Sequence, residues 1–259
     1  MWRSRTRLLL AAAFLSSLAG ASALTASGRT LREASGYSLS LNGSGAYVSA
    51  PDSRSLELER TGAFTVALRV FLRSTTNNLL PRFWEKGPQY LCVMGDTSNA
   101  RVGEIGLEVQ NASGGGNSNG GATEFWGSTR LKTGRWYVIA VTFDQSRRSN
   151  QAQIYVDGTA EKMATIYPWS GTLFRTAGKP WMIGRRTSDL NRQLDGSIDW
   201  MVVYTKVLSP ADIASLSSGQ RPAGASADWE FDEGSGTIAN DSTPNRNTGS
   251  IVDGSYVAN

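Results

Sequence analysis

Residues 194–219 read LDGSIDWMVVYTKVLSPADIASLSSG, and the reading of this stretch decides the fold. After Asp195-Gly196, which read as a turn, Ile198, Trp200, Val202 and Tyr204 alternate with Asp199, Met201, Val203 and Thr205. Apolar residues stand on both faces, the pattern of a central strand covered on both sides. The pattern breaks at Ser209. A serine N-cap, Pro210 at the first helical position and Asp212 precede Ile213 and Leu216, three apart on one face, so a short helix near 209–217 should follow the strand.

Outward from this stretch, strand-like runs separated by glycine, asparagine or proline turns are expected near 37–41, 45–49, 63–72, 79–85, 89–94, 102–109, 123–127, 135–143, 151–157, 179–184 and 197–205. In FTVALRVFLR (64–73), Phe64, Val66, Leu68, Val70 and Leu72 share one face and should be core. WYVIAVTF (136–143) is apolar on both faces and reads as a second central strand, while Asp157-Gly158 should close a hairpin. Many short strands and one helix mean an all-β fold, a two-sheet antiparallel sandwich. The low-complexity run NASGGGNSNGGA (111–122) reads as a surface insertion or as an adaptable rim beside Phe125 and Trp126.

Four stretches carry a family resemblance, in order: SLSLNGSGAYVSAPDSRSLEL (38–58), GAFTVALRVFLRS (62–74), GRWYVIAVTFDQSRRSNQAQIYVDG (134–158) and DGSIDWMVVYTKVLSPADIASL (195–216). Together they resemble the laminin-G-like, concanavalin-A-like jelly-roll domains, a superfold that carries lectins, adhesion modules and hydrolases alike. The resemblance covers roughly 37–219. The segment ADWEFDEGSGTIANDSTPNRNTGSIVDGSYV (227–257) resembles the opening strand and loop of that family, placed after the closing helix instead of before it. Either a truncated second repeat begins there, or a permuted strand folds back to complete one domain over 37–257. The second explanation is preferred, because a truncated repeat would leave Trp229, Phe231, Ile238 and Ile251 without a core, at roughly 1.5–3 kcal/mol each. Trp229 and Phe231 are expected to bury against the strands around Val66 and Val202.

The first 23 residues carry Arg3, Arg5 and Arg7, an apolar run from Leu8 to Ala19 and a small-residue ASA at 21–23, the pattern of a cleaved secretory signal peptide. Residues 24–36 read as a flexible lead-in. The apolar run is too short to span a membrane, and no other stretch approaches the length needed. The formal charge of +4 falls to +1 without the three leader arginines, which removes the main support for nucleic acid as a partner. A single cysteine, Cys92, rules out an internal disulfide, so burial must hold the fold. The absence of histidine excludes serine–histidine–aspartate triads, cysteine–histidine pairs and histidine-ligated zinc or copper; a metal would be a hard, oxygen-liganded one such as Ca²⁺.

Three sets of site residues follow. Glu104 and Glu108, in EIGLE, face one side of a strand, and the resemblance implies comparison with retaining glycosidases of the laminarinase and lichenase type, which set an aspartate between two such glutamates; here Gly106 stands in the middle. The resemblance also places Asp199 where family members ligate a structural calcium, with Asp195 and Asn42 in turns that could complete the oxygen shell. Relatives frequently carry aspartate at the position of Asn42. Carbohydrate binding needs a stacking aromatic beside hydrogen-bonding groups: Trp126 by the glycine-rich loop, Trp169 in an exposed YPWSG loop, and Trp84 are candidates, with Arg185, Arg186, Asp189 and Asn191 on the same rim. The reading is a secreted (extracellular, cell-surface or periplasmic), non-catalytic binding module for a polysaccharide or a surface glycan or protein. Its alternatives are a glycoside hydrolase using Glu104 and Glu108 and a purely structural envelope or matrix protein.

Overall fold

Asp195–Tyr204 lies at the middle of an eight-stranded antiparallel sheet. Along one edge it pairs with Ala63–Ser74 throughout. Two strands share its other edge: Tyr37–Asn42 pairs with its first half and Ala227–Trp229 with its second. Beyond these, the sheet continues through Trp136–Asp144, Ala152–Val156 and Thr159–Ala160 on one side and ends at Ser255–Ala258 on the other. The computed structural model describes residues 30–31, 36–75, 79–95, 99–112, 121–188 and 192–259; the expected leader lies outside these residues. Within the expected flexible lead-in, Thr30–Leu31 pair with Gln220–Arg221 as a two-stranded ribbon.

A nine-stranded antiparallel sheet packs against the first, in the order Ala164–Ile166, Ala122–Arg130, Glu104–Gln110, Gln89–Val93, Arg82–Lys86, Trp181–Ile183, Tyr47–Ala50, Gly249–Val252 and Ile238–Ala239. The two sheets and Pro210–Ser217, the one α-helix among the described residues, make the jelly-roll sandwich expected from the sequence. Strands fall within a few residues of the expected runs; the two 3₁₀ turns at Arg54–Leu56 and Leu58–Arg60 carried no periodic signal. Phe64, Val66, Leu68, Val70 and Leu72 are fully buried between the sheets, as their alternation demands. Around them Trp84 stacks on Trp181 with centroids 5.0 Å apart, and Phe64 meets the Trp84 edge at 6.1 Å.

Two readings of the central strand are corrected. Asp195-Gly196 is not a turn but the bulged start of the strand, where a side chain on Gly196 would lie 2.3 Å from the Phe71 carbonyl oxygen. A second register shift falls between Ile198 and Trp200, so Asp199 adds one residue to the strand. Ile198, Met201 and Val203 therefore face the inter-sheet core, whereas Trp200, Val202 and Tyr204 face outward. Ile213 and Leu216 of the helix close over that outer face together with Ala67 and Ala140. The Ser209 hydroxyl accepts the Asp212 N–H at 3.2 Å, the N-cap expected for this helix.

The C-terminal segment contributes to both sheets. Ala227–Trp229 and Ser255–Ala258 belong to the eight-stranded sheet, and Ile238–Ala239 and Gly249–Val252 to the nine-stranded one. Trp229 and Phe231 are fully buried, and the Trp229 indole donates to the Asn247 carbonyl oxygen at 2.8 Å. The Trp229 ring lies 6.3 Å from that of Trp181. At the far edge, the Asn259 N–H donates to the Gly36 carbonyl oxygen at 3.2 Å. Among the described residues no helix is long and apolar enough to cross a membrane.

Candidate functional site

Alternation along the nine-stranded sheet sends Leu91, Val93, Ile105, Leu107 and Val109 into the core and leaves Tyr90, Cys92, Gly106 and Glu108 on the outer face. Cross-strand register then aligns Glu85, Tyr90, Glu108 and Glu124 in one row across that face. A cleft of about 370 Å³ opens over this row, within the range of about 300–1,000 Å³ usual for small-ligand sites. The sheet supplies its floor through Glu85, Tyr90, Glu108 and Gln110; loops supply Phe174, Lys179 and Arg186 at its mouth.

Each floor residue is held. The Tyr90 hydroxyl donates to Glu108 Oε2 at 2.5 Å, and the Arg82 guanidinium covers the Tyr90 ring at 3.3 Å from its centroid. Glu85 accepts the Thr187 N–H at 2.9 Å and pairs with Arg82 Nε at 3.5 Å. Burial raises the Glu108 carboxyl above the ordinary carboxylate range; the hydrogen bond from Tyr90 opposes the rise and the like charge of Glu124 on the next strand adds to it. At the mouth, Phe174 is 41% exposed, unusual for a phenylalanine and suited to receive a flat apolar face. The base of the glycine-rich run flanks the same end: Asn111 pairs with Leu173, and the Ala112 N–H donates to the Thr172 carbonyl oxygen at 2.7 Å.

The two glutamates of the hydrolase alternative do not share a site. Glu104 and Glu108 stand four positions apart on one strand, about 13 Å between α-carbons at about 3.3 Å per step. Trp126 lies between them, with its six-membered ring against Gly106: a side chain begun there would meet Trp126 Cη2 at 2.7 Å. A central aspartate has no room. Glu108 lines the larger cleft, while Glu104 lines a separate one of about 210 Å³ and is paired with Arg101 at 3.1 Å and Arg130 at 3.7 Å.

Other expected site residues are dispersed. Trp126 is buried with Cys92 and Met94 in a small cluster, and its indole donates to Glu124 Oε2 at 3.0 Å. Trp169, expected in an exposed loop from its proline and glycine neighbours, is instead buried in the main core, edge-on to Phe143 at 5.0 Å. Trp84 is fully buried. Arg185 stacks over Tyr47 at 4.4 Å, away from the cleft lining, whereas Arg186 does line it. Asp189 and Asn191 lie outside the described residues.

The calcium set does not fit a calcium ion. Asn42 Oδ1 is taken by the N–H groups of Ser44 and Ala46 at 3.0 and 3.1 Å. Arg73 Nε donates to Asp195 at 2.9 Å; Asp199 pairs with Arg69 at 3.1 Å and accepts from Asn259 Nδ2 at 2.8 Å. Each carboxylate thus faces a guanidinium, and Ca²⁺ needs about six to eight oxygen ligands. Among the described residues no three His, Cys, Asp or Glu side chains group to hold a metal.

Sequence reasoning singled out neither Phe174 nor Lys179, Tyr90 nor Glu85. A phenylalanine inside the polar run TLFRTAGKP (172–180) was the one available signal. The row on the sheet depends on cross-strand register, which no local pattern reveals.

Comparison with known proteins places the fold. A solved structure from Bacteroides ovatus, provisionally described as a carbohydrate binding protein, is 15% identical with a TM-score of 0.63; the alignment covers 87% of this chain and 60% of that one. The native heptameric SAP-like pentraxin of Limulus polyphemus is 10% identical, with a TM-score of 0.48 over 72% of this chain and 83% of that one. Domains LG4-5 of the mouse laminin alpha1 chain are 14% identical, with a TM-score of 0.43 over 82% of this chain and 51% of that one. The chain thus spans about 60% of the length of the Bacteroides structure. No curated protein matches the sequence. The Laminin G 3 family model, described as the concanavalin A-like lectin/glucanases superfamily, matches residues 42–214, and the chain belongs to that family.

Proposed function

We propose that the protein is an exported, non-catalytic module that binds a polysaccharide or surface glycan in the cleft on the outer face of the nine-stranded sheet. One observation carries the reading: the exposed Phe174 ring stands at the mouth of a cleft whose floor offers fixed donors and acceptors from Tyr90, Glu108 and Gln110. Sugar rings present an apolar face and a rim of hydroxyls, and an aromatic beside fixed polar groups matches both. The description of the Bacteroides ovatus structure as carbohydrate-binding points the same way. Export is supported by the leader pattern of residues 1–23. Residues 227–257 act in this reading as the displaced opening strand of the same domain, since Trp229 and Phe231 lie in the main core.

The test is a glycan array and an insoluble-polysaccharide pull-down on residues 24–259, with reducing ends assayed in the same mixtures. Saturable retention that is lost in Phe174→Ala, without release of reducing ends, supports the module. Reducing ends that disappear in Glu108→Gln would replace it with a hydrolase, and no retention on any glycan would refute it.

A further inference from the structure

The proposed binding cleft carries one positioned cation whose charge nothing in the described structure answers. Lys179 sits at the mouth in GKP (178–180), and its backbone is pinned on two sides. Its N–H donates to the Thr176 carbonyl oxygen at 3.0 Å, and its carbonyl oxygen accepts from the Lys86 ammonium. Lys86 is itself fully buried and paired with Asp52 at 2.5 Å; the second Asp52 oxygen accepts the Gly178 N–H at 2.6 Å. Burial alone would raise the Asp52 carboxyl, but the hydrogen bond and charge of Lys86 and the Gly178 N–H outweigh it and hold the group below its ordinary value. An ion pair between the buried Lys86 and the partly exposed Asp52 thus anchors the loop residues 178 and 179 to the sheet. The Lys179 stem lies over Gly87, which has φ +59° and whose missing side chain would begin 3.5 Å from Lys179 Cγ. Beyond that point the ammonium makes no hydrogen bond or ion pair among the described residues.

The carboxylates of the cleft are otherwise engaged. Glu85 is matched by Arg82 and the Thr187 N–H, and Glu108 is bonded by Tyr90. Arg186 also lines the cleft. The Lys179 ammonium thus leaves positive charge at the opening, beside the exposed Phe174 ring.

Resting on the glycan-binding reading, we infer that the cleft selects a carboxylated saccharide, with the sugar ring on Phe174 and its carboxylate on Lys179. A compact ammonium fixed at its base makes a charge-assisted hydrogen bond at little ordering cost. Glu108 is already engaged as the acceptor of the Tyr90 hydroxyl, which draws its charge toward the cleft floor and away from the ligand carboxylate at Lys179.

The experiment compares retention of polygalacturonate, alginate and sialyllactose with that of their methyl esters, which keep the rings and remove the charge, and with dextran sulfate, which carries charge alone. At least one acid is expected to bind about tenfold more tightly than its ester, and Lys179→Gln should erase that difference while leaving the melting temperature unchanged. Equal retention of acid and ester, or a neutral glycan bound as well as any acid, overturns the inference and leaves glycan binding standing. Dextran sulfate retained as strongly as the best acid would also overturn it, since charge alone then suffices. Retention of no saccharide at all removes the inference and the underlying reading together.

Discussion

Replacing Trp229 by alanine tests whether the C-terminal segment is a working part of the sandwich. The indole is fully buried in the main core, 6.3 Å from the Trp181 ring, and its N–H is bonded to the Asn247 carbonyl oxygen. An aromatic of this size removes about 200 Å² from water, which at about 25 cal/mol per Å² corresponds to about 5 kcal/mol. Core Trp→Ala replacements cost about 3–5 kcal/mol, and the orphaned Asn247 carbonyl adds about 1 kcal/mol, so a loss of about 4–6 kcal/mol is expected. For a domain of this size each kcal/mol lowers the melting temperature by about 2–4 °C, giving a drop of about 10–20 °C. The assay is urea unfolding followed by tryptophan fluorescence, with Val257→Ala as a control, since Val257 is 39% exposed on an edge strand and should change stability by less than about 0.5 kcal/mol. A Trp229→Ala loss below about 1 kcal/mol, or a separate early transition for the variant, would refute the reasoning, because the segment would then fold apart from the rest.

Three further outcomes are expected. Asp52→Ala leaves the fully buried Lys86 ammonium without its carboxylate and should cost about 3–5 kcal/mol in urea unfolding, whereas Lys86→Met removes the charge with its partner still partly in water and should cost clearly less. Glu108 has a folded-state carboxyl raised above its unfolded value, so the native state binds the extra proton and stability falls as pH rises from the ordinary glutamate range toward the folded value. Glu108→Gln should flatten that part of the stability–pH curve, and an unchanged slope would show that the carboxyl is not raised. A chelator should leave both glycan retention and the thermal melt unchanged, because guanidinium groups already face Asp195 and Asp199; a lower melt on chelation would revive a calcium site.

The sandwich was legible because it rests on local alternation. Phe64 to Leu72 fall on one face whatever their partners, and Ser209-Pro210 announce the helix without tertiary help. The bulge at Asp199 was not legible: one extra residue has no signature of its own, and its effect is to move Ile198 to the opposite face from Trp200. Loop composition misled at Trp169, where proline and glycine neighbours suggested exposure but the turn folds the indole back against Phe143. Gly106 could be flagged as a missing aspartate, yet the reason it is glycine is a tryptophan from the adjacent strand. The cleft joins four floor residues, from three strands, to loop residues far along the chain, an assembly fixed by register and loop closure rather than by any motif.

The shared edge of Asp195–Tyr204 has a kinetic consequence. Its neighbours along that edge come from opposite ends of the described chain, Tyr37–Asn42 and Ala227–Trp229, and Tyr37–Asn42 is in turn bordered by Ser255–Ala258. Closing the sheet thus requires contacts between early and late residues, the high-contact-order arrangement that folds slowly. A chain still emerging during synthesis holds Leu39 and Val202 as unfinished edges until the strands of 227–258 arrive, so the interval before completion is when it is most exposed to mispairing with another copy.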